Sequence, residues 1–269
     1  MSVILGSGEH RYRVVENWAK LPDGWEFRDV AAVAVDSKDR IYVFNRGQHP
    51  MMVFDRDGKF LRSWGEGLFG RAHGLHIDSD DNLYCTDDGD HTVRKITTDG
   101  KHLMCWGTTG TDPGQFNIAH NIATDEDGWV YVADRENHRV QVFDGNGKYE
   151  LQWNNMHRPC ALYCCAGGGK NPQFIIGELG PGMPVNSKHT NLGPRLAIVD
   201  KKGGLIARLG GEHGPGQEPG RFLSPHGLAV DSKGDIYVGE VSYTNWPSTH
   251  PGVPVPKFLR SLQKLEKVA

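Results

Sequence analysis

The sequence predicts an all-β protein made of repeated four-stranded antiparallel units. Glycine (35) and proline (15) are abundant among the 269 residues, and apolar residues reach only 38%, which favours short strands and turns over a helical bundle. Apolar runs rich in Val, Ile, Tyr and Leu recur, separated by the Asp-Gly, Asn-Gly or Lys-Gly pairs typical of hairpins. A four-stranded unit of roughly 40–45 residues cannot bury both faces alone, so such units stack in a ring. The predicted architecture is therefore a β-propeller.

Five repeats are evident. The full unit has an apolar run that ends in a turn, two further strands and an outer strand. The first strands read VAAVAVD, GLHID, NIATD, CALYCC and GLAVD, beginning at Val30, Gly74, Asn121, Cys160 and Gly227. The fourth repeat is divergent and long, and the count becomes six blades if the segment 157–220 contains the strands of another. We favour five.

The fifth repeat has no obvious outer strand of its own. The N-terminal segment RYRVVENWAKL (11–21) looks like the outer strand of the first repeat, KFLRSWGEGLFG (59–70). We therefore predict that the N-terminal strand pairs with the last blade and closes the ring, so that residues 1–269 form one domain.

Composition excludes several classes of function. A formal charge of −3 and a pI near 6.5 give no electrostatic attraction to nucleic acid or to an anionic membrane. No apolar stretch approaches the roughly 18–20 residues of a membrane span, and the first residues hold no signal-peptide core. Five cysteines without paired spacing indicate a reducing compartment. These features lead us to expect a cytoplasmic protein.

Three histidines occupy one position of the repeat: His73, His120 and His226. Each lies five residues before an aspartate that closes an apolar run, in AHGLHID, AHNIATD and PHGLAVD. Equivalent positions of a propeller meet near its axis, so the three imidazoles are expected to converge. Three histidines with an open fourth position form a typical catalytic metal site. The alternative is a chance set of hydrogen-bonded histidines in the central channel.

A family resemblance rests on the segments SPHGLAVD, DRENHRVQVF, FNRGQHP and AHGLHID. They resemble NHL repeats, and within that class the chain resembles the peptidyl-α-hydroxyglycine α-amidating lyases from about Val30 to about Trp246. That resemblance implies a propeller, six-bladed in the family, and a zinc ion held at positions matching His73, His120 and His226. It also implies a reaction in which a hydroxyl-bearing carbinolamide breaks into an amide and an aldehyde acid.

Two arginines, Arg46 and Arg135, follow the second strand of their repeats at equivalent positions. They match arginines that lie at the active site in the lyase family, where they recognise the substrate carboxylate or assist the base. A guanidinium fork suits a planar carboxylate. The alternative is that both arginines form structural salt bridges between blades.

The general base and the second metal of that family have no clear counterpart. The family uses a tyrosine as base, and the nearest candidates here are Tyr243 and Tyr163, with a metal-bound hydroxide as the other source. Gly227 stands where the family has an acidic calcium ligand, which makes a calcium site doubtful.

These patterns predict a metal-dependent lyase, with Zn²⁺ or another divalent ion on the three histidines and Arg46, Arg135 and Tyr243 as catalytic residues. The expected substrate is a small or peptidyl molecule with a carboxylate, and neither nucleic acid nor a membrane is an expected partner. The alternatives are a metal-dependent hydrolase or hydratase on the same site and a non-catalytic NHL scaffold. Two Gly- and Pro-rich segments, 177–195 and 242–257, are expected to shape the pocket. The substrate, the metal and the oligomeric state are left open by the sequence.

Overall fold

A computed structural model describes most of the chain. The described residues are 3–125, 127–154, 159, 173–179, 193–200, 204–211 and 213–268. They fold as an all-β, five-bladed propeller arrangement of small antiparallel sheets, as predicted. None of the helices in these ranges has the length and apolarity needed to cross a membrane.

By its contacts the chain divides into two compact units. Unit 1 contains Met1–Val30, Asp57–Phe60 and Tyr163–Ala269. Unit 2 contains Ala31–Arg56 and Leu61–Leu162.

The chain begins with two short strands of unit 1, β1 (Ile4–Ser7) and β2 (His10–Val15). They pair with each other and, through β2, with the last strand of the chain.

Three four-stranded sheets follow, in which sequence neighbours pair in order. The first consists of β3 (Val30–Val35), β4 (Ile41–Asn45), β5 (Met51–Phe54) and β6 (Phe60–Trp64). The second consists of β7 (Ala72–Ile77), β8 (Asn82–Asp87), β9 (Thr92–Thr97) and β10 (His102–Trp106). A small parallel pair, β11 (Thr108–Thr109) and β12 (Gln115–Phe116), precedes the third. The third consists of β13 (Ala119–Thr124), β14 (Val130–Asp134), β15 (Arg139–Phe143) and β16 (Tyr149–Trp153).

The other two sheets belong to unit 1. The fourth contains β17 (Gln173–Glu178), β18 (Arg195–Asp200) and β19 (Leu205–Leu209). The predicted inner strand of that blade, CALYCC, lies outside the described residues. The fifth contains β20 (Pro225–Val230), β21 (Ile236–Glu240) and β22 (Leu262–Val268), extended by the two N-terminal strands in the order β1-β2-β22-β21-β20.

The N-terminal strand completes the fifth blade, as the sequence predicted. Strand β2 runs antiparallel to β22 from Arg11 opposite Val268 to Val15 opposite Lys264. Its inward side chains, Tyr12 and Val14, enter the apolar core of unit 1. The predicted strand was too long at its C-terminal end, because Asn17 has a φ of 51° and turns the chain.

A recurrent aspartate fixes the turn between the first and second strands of a blade. Asp36, Asp125 and Asp231 each accept hydrogen bonds from the backbone N–H groups two and four residues later. The same carboxylates accept a hydrogen bond from a tyrosine hydroxyl six residues on, at 3.2, 2.7 and 3.0 Å. The aspartate that ends each apolar run in the sequence is therefore a turn-forming residue.

The first half of the Gly- and Pro-rich segment 242–257 is helical, which the sequence did not indicate. Helix α1 spans Ser242–Thr249, with Pro247 inside it, and only the residues that follow are irregular. The other segment, 177–195, lies mostly outside the described residues. A helix of eight residues without a side-chain N-cap leaves little signal in the sequence.

Candidate metal centre

The three predicted histidines are each the second residue of an inner strand. His73 lies on β7, His120 on β13 and His226 on β20. His73 and His120 are buried, at 3% and 4% exposed, and His226 is partly buried. One ligand nitrogen from each histidine can be chosen so that all lie within 4.8 Å of one another, so this group could hold a metal ion.

Each of these strands changes its pairing register at the histidine. Ala72 pairs with Asp87, and the regular ladder resumes only at Leu75. The register also shifts after Ala119 and after Pro225, the residues that precede His120 and His226. Such irregularities re-aim a side chain relative to the regular pleat and are common beside active sites. The same kind of irregularity therefore occurs at all three histidine positions of the repeat.

An acidic residue at the end of the second strand anchors the chain just before each histidine. Asp87 accepts hydrogen bonds from the N–H groups of Gly70 and Arg71 at 2.6 and 2.8 Å. Asp134 accepts one from Asn117 at 2.8 Å. In the fifth blade, Glu240 accepts bonds from the backbone N–H groups of Leu223 and Ser224 at 2.7 and 3.2 Å. Burial raises the pKa of Glu240, while the Arg260 charge and these hydrogen bonds oppose that shift.

Within unit 2, a glycine and a threonine lock the strands of His73 and His120 together. The imidazole centroids lie 4.0 Å apart. The Thr86 hydroxyl accepts a hydrogen bond from the Gly74 N–H at 2.7 Å and donates one to the His120 carbonyl at 3.2 Å. A Cβ on Gly74 would lie 2.8 Å from that carbonyl oxygen, which is closer than packing permits. Glycine is therefore required beside His73 because the two strands approach so closely.

Asp88 determines which nitrogen of His73 is available to a metal. The Asp88 carboxylate lies 2.6 Å from His73 Nδ1, and Arg46 Nη2 lies 3.0 Å from the same atom. The carboxylate contact is the shorter, and a neutral His73 that donates its Nδ1–H to Asp88 carries its lone pair on Nε2. A carboxylate behind the imidazole is the usual arrangement around a metal-ligating histidine.

Three arginines surround Asp88 electrostatically. Arg71, half-exposed, forms an ion pair with Asp88 at 2.7 Å. Burial raises the pKa of Asp88, and the charges of Arg71, Arg46 and Arg135 act in the opposite direction. Burial is the largest of these effects, so the pKa of Asp88 is raised, and the three guanidinium groups limit that rise.

The two sequence-predicted arginines have different surroundings. Arg46 donates from Nε to the Ala72 carbonyl at 2.9 Å, directly before His73. Arg135 opens a short 3₁₀ turn and pairs with Glu136 at 2.8 Å. Arg46 thus contacts the histidine centre directly, whereas Arg135 acts on Asp88 through its charge.

A cavity of about 300 Å³ opens beside Arg46 in unit 2. Its lining includes Arg46, Arg71, Pro50, Phe69 and Ala72. Two guanidinium groups and an apolar wall next to His73 form a suitable environment for an anionic ligand.

The predicted base Tyr243 lies in helix α1, and its hydroxyl is engaged by the backbone. It accepts a hydrogen bond from the Leu259 N–H at 3.0 Å and lies 3.3 Å from the Lys257 carbonyl. Arg28 stacks on its ring at 4.7 Å. These contacts hold the irregular segment against the helix. Tyr163, the other candidate, lies outside the described residues.

Sequence reasoning missed Asp88 and Arg71, although the repeat register contains a signal for the first. Asp88 follows the second strand at the position that holds Arg46 and Arg135 in the neighbouring repeats. When three consecutive repeats carry a basic, an acidic and a basic residue at the same position, electrostatic interactions between them are expected. Arg71 lies before β7 in a segment without repeat register, so no pattern marks it.

The residues present fit a metal of the zinc type. All three candidate ligands are imidazole nitrogens, which suit Zn²⁺, Cu²⁺, Ni²⁺ or Fe²⁺ and not Ca²⁺ or Mg²⁺. The Asp88 contact supplies the supporting carboxylate that such a ligand usually has.

Comparison with known proteins supports the repeats and the fold. The NHL-repeat model matches residues 116–143 and 222–246, which contain His120 and His226. No curated protein matched the sequence. A streptogramin B lyase structure is similar, with 10% identity, 90% of this chain and 95% of the other covered, and a TM-score of 0.56. A gluconolactonase from Xanthomonas campestris gives 8% identity, coverages of 96% and 90%, and a TM-score of 0.54. At such low identity these similarities show the fold alone.

Proposed function

We propose that the protein is a metal-dependent lyase whose centre is formed by His73, His120 and His226. The observation that carries the proposal is the convergence of three imidazoles, with His73 backed by Asp88. A Zn²⁺ ion or another divalent ion of similar preference suits this set of nitrogen ligands.

The chain's own residues would hold the substrate beside this centre. A divalent ion bound there supplies Lewis acidity, which polarises oxygen atoms of the substrate. Arg46 and Arg71 line the adjacent cavity and are placed to bind a substrate carboxylate. Arg135 adds positive charge to the same region through its effect on Asp88. The substrate class that fits is a small or peptidyl molecule with a hydroxyl close to a carboxylate.

The proposed reaction is the cleavage of a carbinolamide. The hydroxyl proton is removed, the C–N bond breaks with its electron pair moving to nitrogen, and the nitrogen takes up a proton. The products are an amide and an aldehyde acid. Because the Tyr243 hydroxyl is already bonded to the backbone around residues 257–259, it fits the role of proton acceptor less well than the sequence suggested.

A metal-dependent hydrolase is the second candidate. It is favoured by the hydrogen bonds that hold the Tyr243 hydroxyl to the backbone of residues 257–259. Hydrolysis takes its nucleophile from water and does not require a tyrosine base. Structures described as a lyase and as a gluconolactonase share this fold, so the fold accommodates either reaction.

The metal assignment is tested by elemental analysis of protein purified without chelator. We expect about one equivalent of a divalent transition metal in the wild type and a loss of most of it in His73→Ala, His120→Ala and His226→Ala. His102→Ala is the matched control, because His102 is exposed on the outer strand β10. Full metal content in the three variants would refute the site. A wild type without metal would favour a binding scaffold.

The reaction is tested with N-benzoyl-α-hydroxyglycine in ¹⁸O-labelled water. The benzoyl product distinguishes the two reactions, because the aldehyde oxygen of glyoxylate exchanges with water. A lyase gives unlabelled benzamide, whereas a hydrolase that cleaves the amide gives benzoate with one labelled oxygen. Replacing Arg46 by Lys removes the bidentate fork and is expected to raise KM more than it lowers kcat. Absence of turnover by a metal-loaded protein would exclude this substrate class.

A further inference from the structure

A second, larger cavity lies within unit 1. Its volume is about 500 Å³, within the range of roughly 300–1,000 Å³ that is usual for small-molecule sites. The cavity is formed by the stretch after β2 (14–27) and the segment that leads into β22 (258–264), together with Gln217 and Tyr243. None of the three metal-centre histidines lines it.

Aromatic side chains make up much of the cavity wall. They are Trp18, Trp25, Phe27, Tyr243 and Phe258. Trp18 packs edge-on against Tyr237 with ring centroids 5.0 Å apart, and Trp25 packs against Phe60 at 5.2 Å. Trp18 is only 6% exposed, whereas Trp25 is partly exposed. Since Trp25 is supported by Phe60, it forms a fixed platform on which a planar ligand can stack.

Three polar atoms of the lining residues are buried without a hydrogen-bond partner among the described residues. They are Gln217 Nε2, Arg260 Nε and Ser261 Oγ. The Gln217 amide is oriented, because its Oε1 accepts a hydrogen bond from the Arg260 backbone N–H. The other two Arg260 nitrogens donate to backbone carbonyls, including that of Arg221, and Nη2 also forms an ion pair with Glu240 at 3.5 Å. Ser261 is only 1% exposed.

These three groups share one chemical character, because each can donate a hydrogen bond. Two are N–H groups, one of them on a cation, and the third is a hydroxyl. Buried donors without partners are unfavourable and call for a group that pairs with them. A carboxylate offers two oxygens with several lone pairs and so satisfies such a set. The lining also includes Glu16 and Glu26, both exposed, which disfavour a second negative charge.

We propose that this cavity is a binding site for a small aromatic monocarboxylate. The ring stacks on Trp25, and the carboxylate pairs with the donors of Gln217, Arg260 and Ser261. The site is independent of the proposed metal chemistry, so the two can fail separately. A trapped water is the competing occupant of these donors.

The proposal is tested by calorimetric titration with 3-phenylpropionate and with its neutral match, 3-phenylpropan-1-ol. We expect saturable binding of the acid, at least tenfold tighter than that of the alcohol. Ser261→Ala should weaken binding of the acid by about tenfold, the factor that corresponds to one hydrogen bond. Ser63→Ala, at an exposed Ser–Glu contact in unit 2, is the control and should leave binding unchanged.

A stability measurement on the ligand-free protein separates the ligand from a structural water. If the Ser261 hydroxyl has no hydrogen-bond partner until the ligand binds, Ser261→Ala leaves Tm unchanged or raises it, because an unpaired buried hydroxyl is removed. If a structural water satisfies that hydroxyl, the variant lowers Tm. A lowered Tm, equal binding of acid and alcohol, or no saturable binding at millimolar concentration would each overturn the proposal. Metal content is expected to stay unchanged in Ser261→Ala, whatever the outcome at the first site.

Discussion

At the scale of single residues, Asp88 occupies a fixed position of the repeat and contacts one histidine of the proposed metal site. It stands where two neighbouring repeats carry Arg46 and Arg135, and its carboxylate contacts His73 directly. The histidines themselves could be predicted, because the repeat register places them at equivalent positions. The Asp88 contact could not, because it depends on the side-chain direction in a turn and on the shift of pairing register between β7 and β8 at His73.

Replacing Asp88 by Asn is expected to weaken metal binding by about 10- to 100-fold, the range seen when such a supporting carboxylate is lost. The amide keeps the size of the side chain but removes the charge that orients His73 and raises its basicity. Zinc affinity by competition with a chromophoric chelator measures the effect. Asp80→Asn, in an exposed turn of the same blade, is the control. Equal zinc affinity in Asp88→Asn and wild type would assign Asp88 a purely structural role.

His76 lies on the same strand as His73 and gives the metal-free protein an acid sensitivity. Burial lowers the pKa of His76 to about 4, and the Asp78 charge only partly opposes this shift. In the unfolded chain a histidine takes up its proton near pH 6.5. Between these values the unfolded state binds more protons, so the free energy of unfolding falls as the pH falls through this window. Above about pH 7 the group contributes no pH dependence.

We therefore expect His76→Gln to lose less stability than the wild type between about pH 7.5 and about pH 5. Urea unfolding of both proteins in EDTA at the two pH values measures the difference. His102→Gln, at an exposed histidine, serves as the reference. The interpretation fails if His76→Gln and the wild type lose the same free energy.

At the scale of elements, the spacing between β7 and β13 depends on one glycine. Gly74 has no side chain where a Cβ would meet the His120 carbonyl and Thr86 Oγ1, both at 2.8 Å. The sequence reveals strand β7 through its apolar residues, yet it gives no sign of this approach. Close contact between neighbouring blades is a tertiary property, and a glycine inside a strand pattern is only a weak indication of it.

Gly74→Ala is expected to destabilise the protein by about 1–3 kcal/mol, the usual cost of overpacking, and to lower metal affinity. The added methyl group pushes the strands of His73 and His120 apart. Urea unfolding and chelator competition report the two effects separately. Gly145→Ala is the matched control, because a Cβ there meets only Gly128 O at an ordinary 3.5 Å. A stable variant with unchanged zinc affinity would show that the spacing of these strands is not critical.

At the scale of the whole molecule, the sequence favoured five blades over six and predicted the role of its first residues. Both predictions follow from repetition: a blade that lacks its outer strand must obtain one elsewhere, and only the N-terminal segment offered one. The repeat pattern does not predict the structure of segments that depart from it. Helix α1 was missed because it replaces a short hairpin turn, and the described parts of the other blades contain no second copy for comparison.

Removal of residues 1–20 is expected to destabilise the fold as a whole. It deletes β1 and β2, leaves β22 as an unpaired edge, and removes Tyr12, Val14 and Trp18 from the buried set. An exposed apolar edge promotes aggregation, so we expect a lower urea midpoint or loss of soluble monomer. Size-exclusion chromatography and urea unfolding measure both outcomes.

Two point variants separate the loss of packing from the loss of chain length. Val14 is 7% exposed and belongs to the core of unit 1, whereas Arg11 on the same strand is exposed. Val14→Asp places a charge in that core and should reproduce most of the truncation effect, because an unpaired buried charge costs several kcal/mol. Arg11→Asp should change stability little. If both variants behave like the wild type while the truncated chain unfolds, the N-terminal strand stabilises the blade through its backbone hydrogen bonds to β22 and not through its side chains.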